Sequence, residues 1–288
     1  MDGMAGREAW DLRLGELSGL GRRRNPASGE TELLAVGDRG TDIAALPVGE
    51  AGRLPRDRRH RKVADRFEVR GLPEDLTRSD GQSDWEGVAG DAAGHIFVLR
   101  ETGSTVLVVS PTFEYERSVA LRWETSAEET LESLLLLSDG HLLSACQGRP
   151  LKLLEFAAPG EPPVGPSAVL PADQALQLPP GSELECVATW EIPTDRVRSA
   201  NDLATYGDHL FLISSVSRAI ARFRLPAPGS DALEPAGVRD LPKEVAAGRD
   251  EKAEGLLVDG RLGVLVGVDR GPGGRGAELY ELGGAGTD

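Results

Sequence analysis

The sequence predicts an all-β fold: a single β-propeller of five blades, or six if a long gap hides a weak one, built from four-stranded antiparallel sheets. Three observations predict it. A pair of short apolar strands around a Gly/Asp turn recurs five times in 288 residues. Gly (36) and Pro (19) are abundant and spread along the chain, which suits many short strands and turns. Helical periodicity is hard to find, and Ser126 to Leu137, with its Ser126…Glu129 capping-box spacing, reads as a cap or one turn leading into a strand.

Each repeat opens with a small polar or acidic residue. The pairs run from Leu17-Ser18-Gly19-Leu20 to Asp38, from Trp85-Glu86-Gly87-Val88 to Glu101, and from Leu131-Glu132-Ser133-Leu134 to Gln147. The last two run from Ala200-Asn201-Asp202-Leu203 to Ser215 and from Ala253-Glu254-Gly255-Leu256 to Asp269. The lead positions are 18, 86, 132, 201 and 254, with gaps of 68, 46, 69 and 53, and 52 on closing the ring through the termini. Three gaps lie near a blade length of roughly 40–50 residues, and the other two leave room for a large loop. Third strands follow at Val106–Val109, Leu151–Leu154, Ala219–Phe223 and Glu278–Tyr280, and fourth strands at Glu68–Arg70, Ser118–Leu121 and Glu185–Trp190. Trp10–Leu14 is placed to complete the last blade and close the ring, which leaves only short sheet edges. Long loops near 50–66 and 157–182 do not separate distinct folds, so residues 1–288 form one domain.

The formal net charge is -15, which argues against nucleic acid and favours cations. The basic residues are 28 Arg and 4 Lys, a bias read as that of a GC-rich bacterial genome. Two cysteines, Cys146 and Cys186, make no disulfide framework. No apolar run is long enough to span a membrane and the N-terminus has no leader-like segment, so the chain as it stands reads as cytoplasmic. A leader removed upstream would instead mean export.

A hairpin brings the start of its first strand and the end of its second to one place. Two rings should therefore face one mouth of the axial channel. The first holds Ser18, Glu86, Glu132, Asn201 and Glu254; the second holds Asp38, Glu101, Gln147, Ser214 or Ser215, and Asp269. Nearly all are oxygen donors, the ligands a hard cation such as Ca²⁺ takes. The metal candidates are Glu86, Glu132, Asn201 and Glu254. Glu86, Glu101 and Glu254 are the candidate catalytic residues. Asp38, Arg39, Glu101, Gln147, Asp269 and Arg270 are candidate ligand contacts, the arginines as partners of the carboxylates or of an anionic substrate. The bland alternative is that these groups only cap strands around buried water.

Other motifs carry less. His95, His141 and His209 share a repeat position, but at the opposite mouth, and blade symmetry explains them. Gly271 to Gly276 fits G-x-G-x-x-G, yet Glu278–Glu281 after it reads as a strand, so it is a hairpin loop and not a dinucleotide site. No G-x-S-x-G elbow occurs. Cys146 is weighed as a nucleophile, with His60 too far away in sequence to judge, and reads better as a buried hydrophobe.

Ser83-Asp84-Trp85-Glu86-Gly87-Val88-Ala89, followed by Gly94 to Glu101, resembles the D-x-E-G-hydrophobic-A … V-x-E segment of the phytase-like propellers. That group includes the esterase-like-activity-of-phytase and SdiA-regulated proteins. Leu17-Ser18-Gly19-Leu20 is similar to their opening blade, and Ala253-Glu254-Gly255-Leu256 repeats the E-G-L element. The resemblance implies five or six blades and calcium, or another divalent ion, held by axial acids, with Glu86, Glu132 and Glu254 in the E-G positions. Ser133 and Asp202 depart from that pattern, and the acidic and basic run of true propeller phytases is missing. A weaker resemblance, carried by Asn201, is to gluconolactonase and regucalcin propellers, which bind a divalent metal at blade starts.

Three functions follow as expectations. One is a non-catalytic propeller binding a divalent cation or small molecule at the mouth, or a protein at the rim. Another is a divalent-metal hydrolase of an ester, lactone or phosphoester. The third is a different enzyme on the same fold, such as a lyase or cyclase.

Overall fold

The structure, a computed structural model, describes residues 9–49, 54, 64–76, 83–126, 129–193, 195, 197–226, 233–243, 245, 251–271 and 276–282. Most of the 50–66 loop, His60 and the centre of the Gly271–Gly276 motif lie outside them.

The first strand, β1 (Ala9–Asp11), waits for a partner from the far end of the chain. Blade 1 follows as β2 (Gly19–Arg24), β3 (Thr31–Val36), β4 (Asp42–Pro47) and β5 (Asp65–Glu68). Blade 2 is β6 (Trp85–Gly90), β7 (Ile96–Arg100), β8 (Thr105–Val109) and β9 (Tyr115–Arg122). The inner strand of blade 3 is broken into β10 (Thr130–Leu131) and β11 (Leu135–Leu136), followed by β12 (Leu142–Gln147), β13 (Lys152–Ala157) and β14 (Glu183–Glu191). Blade 4 is β15 (Asp202–Tyr206), β16 (His209–Ser214), β17 (Ala219–Arg224) and β18 (Glu234–Asp240). Blade 5 is β19 (Lys252–Asp259), β20 (Gly263–Asp269) and β21 (Ala277–Glu281), completed by β1, whose Trp10 lies opposite Leu279. The ring is thus closed by the N-terminal strand, as the sequence predicts.

The inner two strands of a blade are covered on both faces, so they read as unbroken apolar runs: Ile96–Arg100 and Gly263–Asp269 are buried throughout. Five apolar clusters hold the ring, one between each pair of neighbouring blades. Leu34, Val36 and Ile43 of blade 1 meet Val88, Ile96 and Val98 of blade 2. The ring is completed where Leu265, Ala277 and Leu279 of blade 5 meet Leu33, Ala35 and Leu46 of blade 1. Five clusters mean five blades; among the described residues no sixth sheet forms.

The second long gap is an insertion between β13 and β14, Ala158 to Ser182, without helix or strand of its own. It is tied down at the far end of the axis. Ser138 donates to the Ala168 carbonyl (2.7 Å), and Leu170 donates to that of Leu136 (2.9 Å). The Asp91 carboxylate accepts from Leu176 N–H (3.0 Å). The buried Glu155 carboxylate accepts from Val164 N–H (2.7 Å) and Gly165 N–H (3.0 Å) and meets His141 Nδ1 at 2.6 Å. Beyond the insertion, Glu183–Glu185 pair parallel with Ala120–Arg122, joining the outer edges of blades 2 and 3.

Candidate functional site

The hairpin register sets one row of residues at the start of each blade: Gly19 opposite Val36, Trp85 opposite Arg100, Thr130 opposite Gln147, Asp202 opposite Ile213 and Lys252 opposite Asp269. The lead residues stand at that row. In blades 2 and 5 the register slips between Trp85 and Gly87 and between Ala253 and Gly255. Glu86 and Glu254 are therefore the extra residues of two β-bulges at one structural position, a device that re-aims a side chain. In blade 3 the strand breaks after Leu131, and Glu132 keeps one ladder bond, from its N–H to the Ala145 carbonyl (3.0 Å).

The glycine after the lead residue has a reason of its own. A Cβ on Gly19 would lie 2.5 Å from the Glu86 carbonyl oxygen, and one on Gly87 2.7 Å from Leu134 N. Neighbouring inner strands approach too closely there for any side chain. Where the sequence departs from glycine, the side chain is used. Ser133 Oγ accepts from Ala145 N–H (2.8 Å). Asp202 Oδ2 accepts from Leu20 N–H of blade 1 (3.1 Å) and Leu256 N–H of blade 5 (2.8 Å), binding three blades together. Its carboxyl is pushed well above the usual range by burial, against the pull of these N–H groups.

All five lead residues, Ser18, Glu86, Glu132, Asn201 and Glu254, line one cavity of about 390 Å³, together with Asp38, Glu101 and Gln147 of the second ring. Asp269 stands behind it, its charge felt by Glu254 and Lys252. Ser214 is turned into a buried network with Ser199 (3.0 Å), and Ser215 gives its N–H to Asn201 Oδ1 (2.9 Å). Asn201 Oδ1 also accepts from Ser199 Oγ (2.8 Å), so that oxygen already holds two structural bonds.

Two lining residues escape the sequence reading: Thr130 and Lys252. Both lie two positions before a lead residue and line the cavity with it. That position is polar in all five repeats (Glu16, Asp84, Thr130, Ser199, Lys252), a signal the repeat alignment carries. Thr130 bonds Glu132, Ser199 bonds Asn201, and Lys252 Nζ lies 3.2 Å from Glu254 Oε1.

The mouth is electrostatically crowded. Ser18 Oγ donates to Asp38 Oδ1 (2.6 Å). Glu86 is hydrogen-bonded to Asp38, and two carboxyls can bond only by sharing a proton. Burial first, then the charges of Asp38, Glu132 and Glu101, raise Glu86 well above the ordinary range. Burial pushes Glu132 up to about 7, opposed by its Thr130 bond and reinforced by Glu101 and Asp38. Burial likewise pushes Glu254 up to about 7, opposed by Lys252. Lys252 is raised in turn, chiefly by Glu254.

The arginines stand apart from the cavity lining. Arg39, its side chain 56% exposed, pairs with Glu16 at 3.1 Å. Arg270 is held by Glu251 (2.5 Å), Glu278 (2.9 Å) and Tyr280. His95, His141 and His209 sit in separate blades at the opposite end, His95 near Asp91 (3.5 Å), His141 with Glu155 and His209 with Asp208 (2.7 Å). Cys146 is fully buried and its thiol is pushed up to about 12 by burial, which removes it as a nucleophile. The Gly271–Gly276 motif joins antiparallel β20 and β21, a hairpin connection as expected.

The residues present do not fit a directly chelated metal. Among the described residues, no three His, Cys, Asp or Glu side chains come together closely enough to hold an ion. Ca²⁺ needs six to eight oxygens at about 2.3–2.6 Å.

A second cavity, of about 100 Å³, lies at the far end of the axis between the inner strands and the insertion (Val169–Ala172), and shares no lining residue with the mouth.

No protein-family model matches the chain, and no curated protein does. Solved structures share its fold. One is Myxococcus xanthus glutaminyl cyclase, with a TM-score of 0.52 and 13% identity over 96% of this chain and 94% of that one. A candidate gluconolactonase gives a TM-score of 0.49 and 17% identity, over 96% of this chain and 82% of that one.

Proposed function

We propose that the axial mouth binds a small, polar, cationic ligand. The observation that supports this reading is the charge imbalance of the cavity: Asp38, Glu86, Glu101, Glu132 and Glu254 line it, with Lys252 as the one basic residue of the lining among the described residues. Glu86, Glu132 and Glu254 are all raised by burial and, in part, by other carboxylates, so each pays for its charge in a way an incoming cation would relieve. The volume, about 390 Å³, lies in the range of small-molecule sites. Divalent cations are the first class to test, bound with side-chain movement or through water, since the carboxyls as placed form no cage.

A hydrolase reading draws on the same groups. Carboxyls near 7 suit general acid–base chemistry at neutral pH, and Glu132 and Glu254 both reach it. Their substrate would be a small ester or lactone. The name of the glutaminyl cyclase records an enzyme on this fold, in keeping with an enzyme here.

One variant tests the site. Wild type and Glu86→Gln/Glu254→Gln are melted with EDTA and then with CaCl₂, MgCl₂ or MnCl₂ at constant ionic strength, and assayed on lactone and ester substrates. A ligand bound only by the native state raises Tm. We expect a cation-dependent rise in wild type that the double variant loses. An identical response of the two proteins would remove the mouth as the binding site.

A further inference from the structure

The insertion from Ala158 to Ser182 leaves and rejoins blade 3 at adjoining positions, since Ala157 of β13 pairs with Glu185 of β14. Lifting it away would break no pairing between the blade's own strands. We infer that the insertion is a strap that lifts from the ring as one unit, that two buried carboxylates, Glu155 and Asp91, latch it down, and that its lifting opens the small far-end cavity. The inference stands apart from the cation-binding reading, because the two cavities share no lining residue.

Three observations carry it. First, the cavity of about 100 Å³ has two kinds of wall. The inner strands of all five blades supply one, through Leu20, Val88, Leu136, Leu203 and Leu257, and Val169 to Ala172 of the strap supply the other. The strap wall is held by a single antiparallel bridge, Val169 opposite Leu137, with Ser138 N–H on the Ala168 carbonyl (2.7 Å) and Leu170 N–H on that of Leu136 (2.9 Å).

Second, the strap is tied to two blades by carboxylates whose side chains have no exposed surface. Glu155 of blade 3 accepts from Val164 N–H (2.7 Å) and Gly165 N–H (3.0 Å) and meets His141 Nδ1 (2.6 Å), so two of these three partners belong to the strap. Asp91, just after β6 of blade 2, accepts from Leu176 N–H (3.0 Å) on one oxygen and from His95 N–H (2.9 Å) on the other. A carboxylate sealed from water depends on its donors, and one left dry with donors missing is costly. The strap is therefore seated on both latches, or it lifts and lets water reach them.

Third, the apolar anchorage of the strap is light. Leu176 is buried, whereas Leu170, Leu178, Val164 and Val169 are only partly buried against the clusters on the two sides of blade 3. Segments with few buried apolar contacts open at a lower free energy than the whole fold.

Native-state hydrogen exchange of the full chain, read by mass spectrometry, tests the strap in wild type, Glu155→Gln and Asp91→Asn. Both substitutions keep the shape of the side chain and replace one acceptor oxygen by an NH₂ donor. In wild type, peptides within 158–182 should exchange about tenfold or more faster than β12 and β20, with one common dependence on dilute urea. Each latch variant should speed strap exchange by a further factor of about ten and leave β20 unchanged. A second measurement reads the cavity. In a Val258→Cys/Cys186→Ser protein the new thiol lies in the cavity wall, and Cys146 is buried. Its alkylation by iodoacetamide should rise by the same factor, about tenfold, when Glu155→Gln is added.

Strap peptides as protected as β12 in wild type would overturn the inference, as would strap exchange that neither variant changes. Loosening of β20 to the same degree as the strap in both variants would make strap and ring one cooperative unit and overturn it too. Faster strap exchange without faster alkylation would mean that the strap does not control the cavity, and would overturn its role as a lid.

Discussion

Glu132 and Glu254 are both pushed up to about 7, chiefly by burial, so in the folded protein they keep protons that the unfolded chain would release. The folded state then binds more protons than the unfolded one between the model carboxyl value of 4.5 and about 7. Stability therefore falls as pH rises through that window, by up to about 3 kcal/mol for either group alone. Glu254→Gln removes its share of the fall. Its Tm should match wild type near pH 4 and exceed it at pH 8, a comparison made by calorimetry without added cations. Equal Tm values at pH 8 would mean that Lys252 already neutralises the group. At this scale the sequence is informative about the ring: the repeat phase alone brings Ser18, Glu86, Glu132, Asn201 and Glu254 to one cavity. It is silent on partners. The Glu86–Asp38 proton, the Lys252–Glu254 contact and the Arg270 clamp depend on rotamers and on neighbours in other blades, which no spacing encodes.

At the scale of the strand, the glycines after the lead residues do the most. Gly87→Ala would press a methyl group into Leu134 N at 2.7 Å and the Ser133 carbonyl carbon at 2.9 Å, both backbone atoms of the next blade. The expected loss is about 1–3 kcal/mol, the usual cost of overpacking. Exposed Gly15 has nothing within 4 Å of a Cβ, so Gly15→Ala is the neutral control in the same urea titration. A Gly87→Ala protein as stable as the control would mean that the inner strands are not held at this spacing. The strands hardest to read were β4 and β18. In β4 (Asp-Ile-Ala-Ala-Leu-Pro) the alanines give no contrast between faces, and β18, mostly exposed and containing Pro235, has no apolar alternation at all. Outer strands are defined by pairing with the strand before them, and such pairing leaves little trace in composition.

For the whole molecule, closure is the issue. Trp10, Leu12 and Leu14 are buried in the cluster between blades 5 and 1, and Leu12 N–H bonds the Ala277 carbonyl (3.0 Å). Removing the chain through Leu14 leaves β21 an open edge and empties part of that cluster. We expect a markedly lower Tm and concentration-dependent aggregation, measured by melting and light scattering. A truncated protein with unchanged Tm would show that blade 5 holds without its N-terminal strand. The repeat predicts this closure, but it leaves the count at five or six, because the two long gaps between lead positions look the same in sequence whether they hold a loop or a weak blade. The insertion from Ala158 to Ser182 was legible only as a Pro- and Ala-rich loop, and its seat across the far end of the axis depends on side chains such as Asp91 and Glu155 in other elements. That seat puts a loop of blade 3 beside the smaller cavity, at the end of the axis away from the acidic mouth. A ligand that enters and leaves through the acidic mouth would pass the same rim both ways, so a bulky side chain placed there would slow arrival and departure alike, changing exchange rates while leaving the equilibrium occupancy nearly where it was.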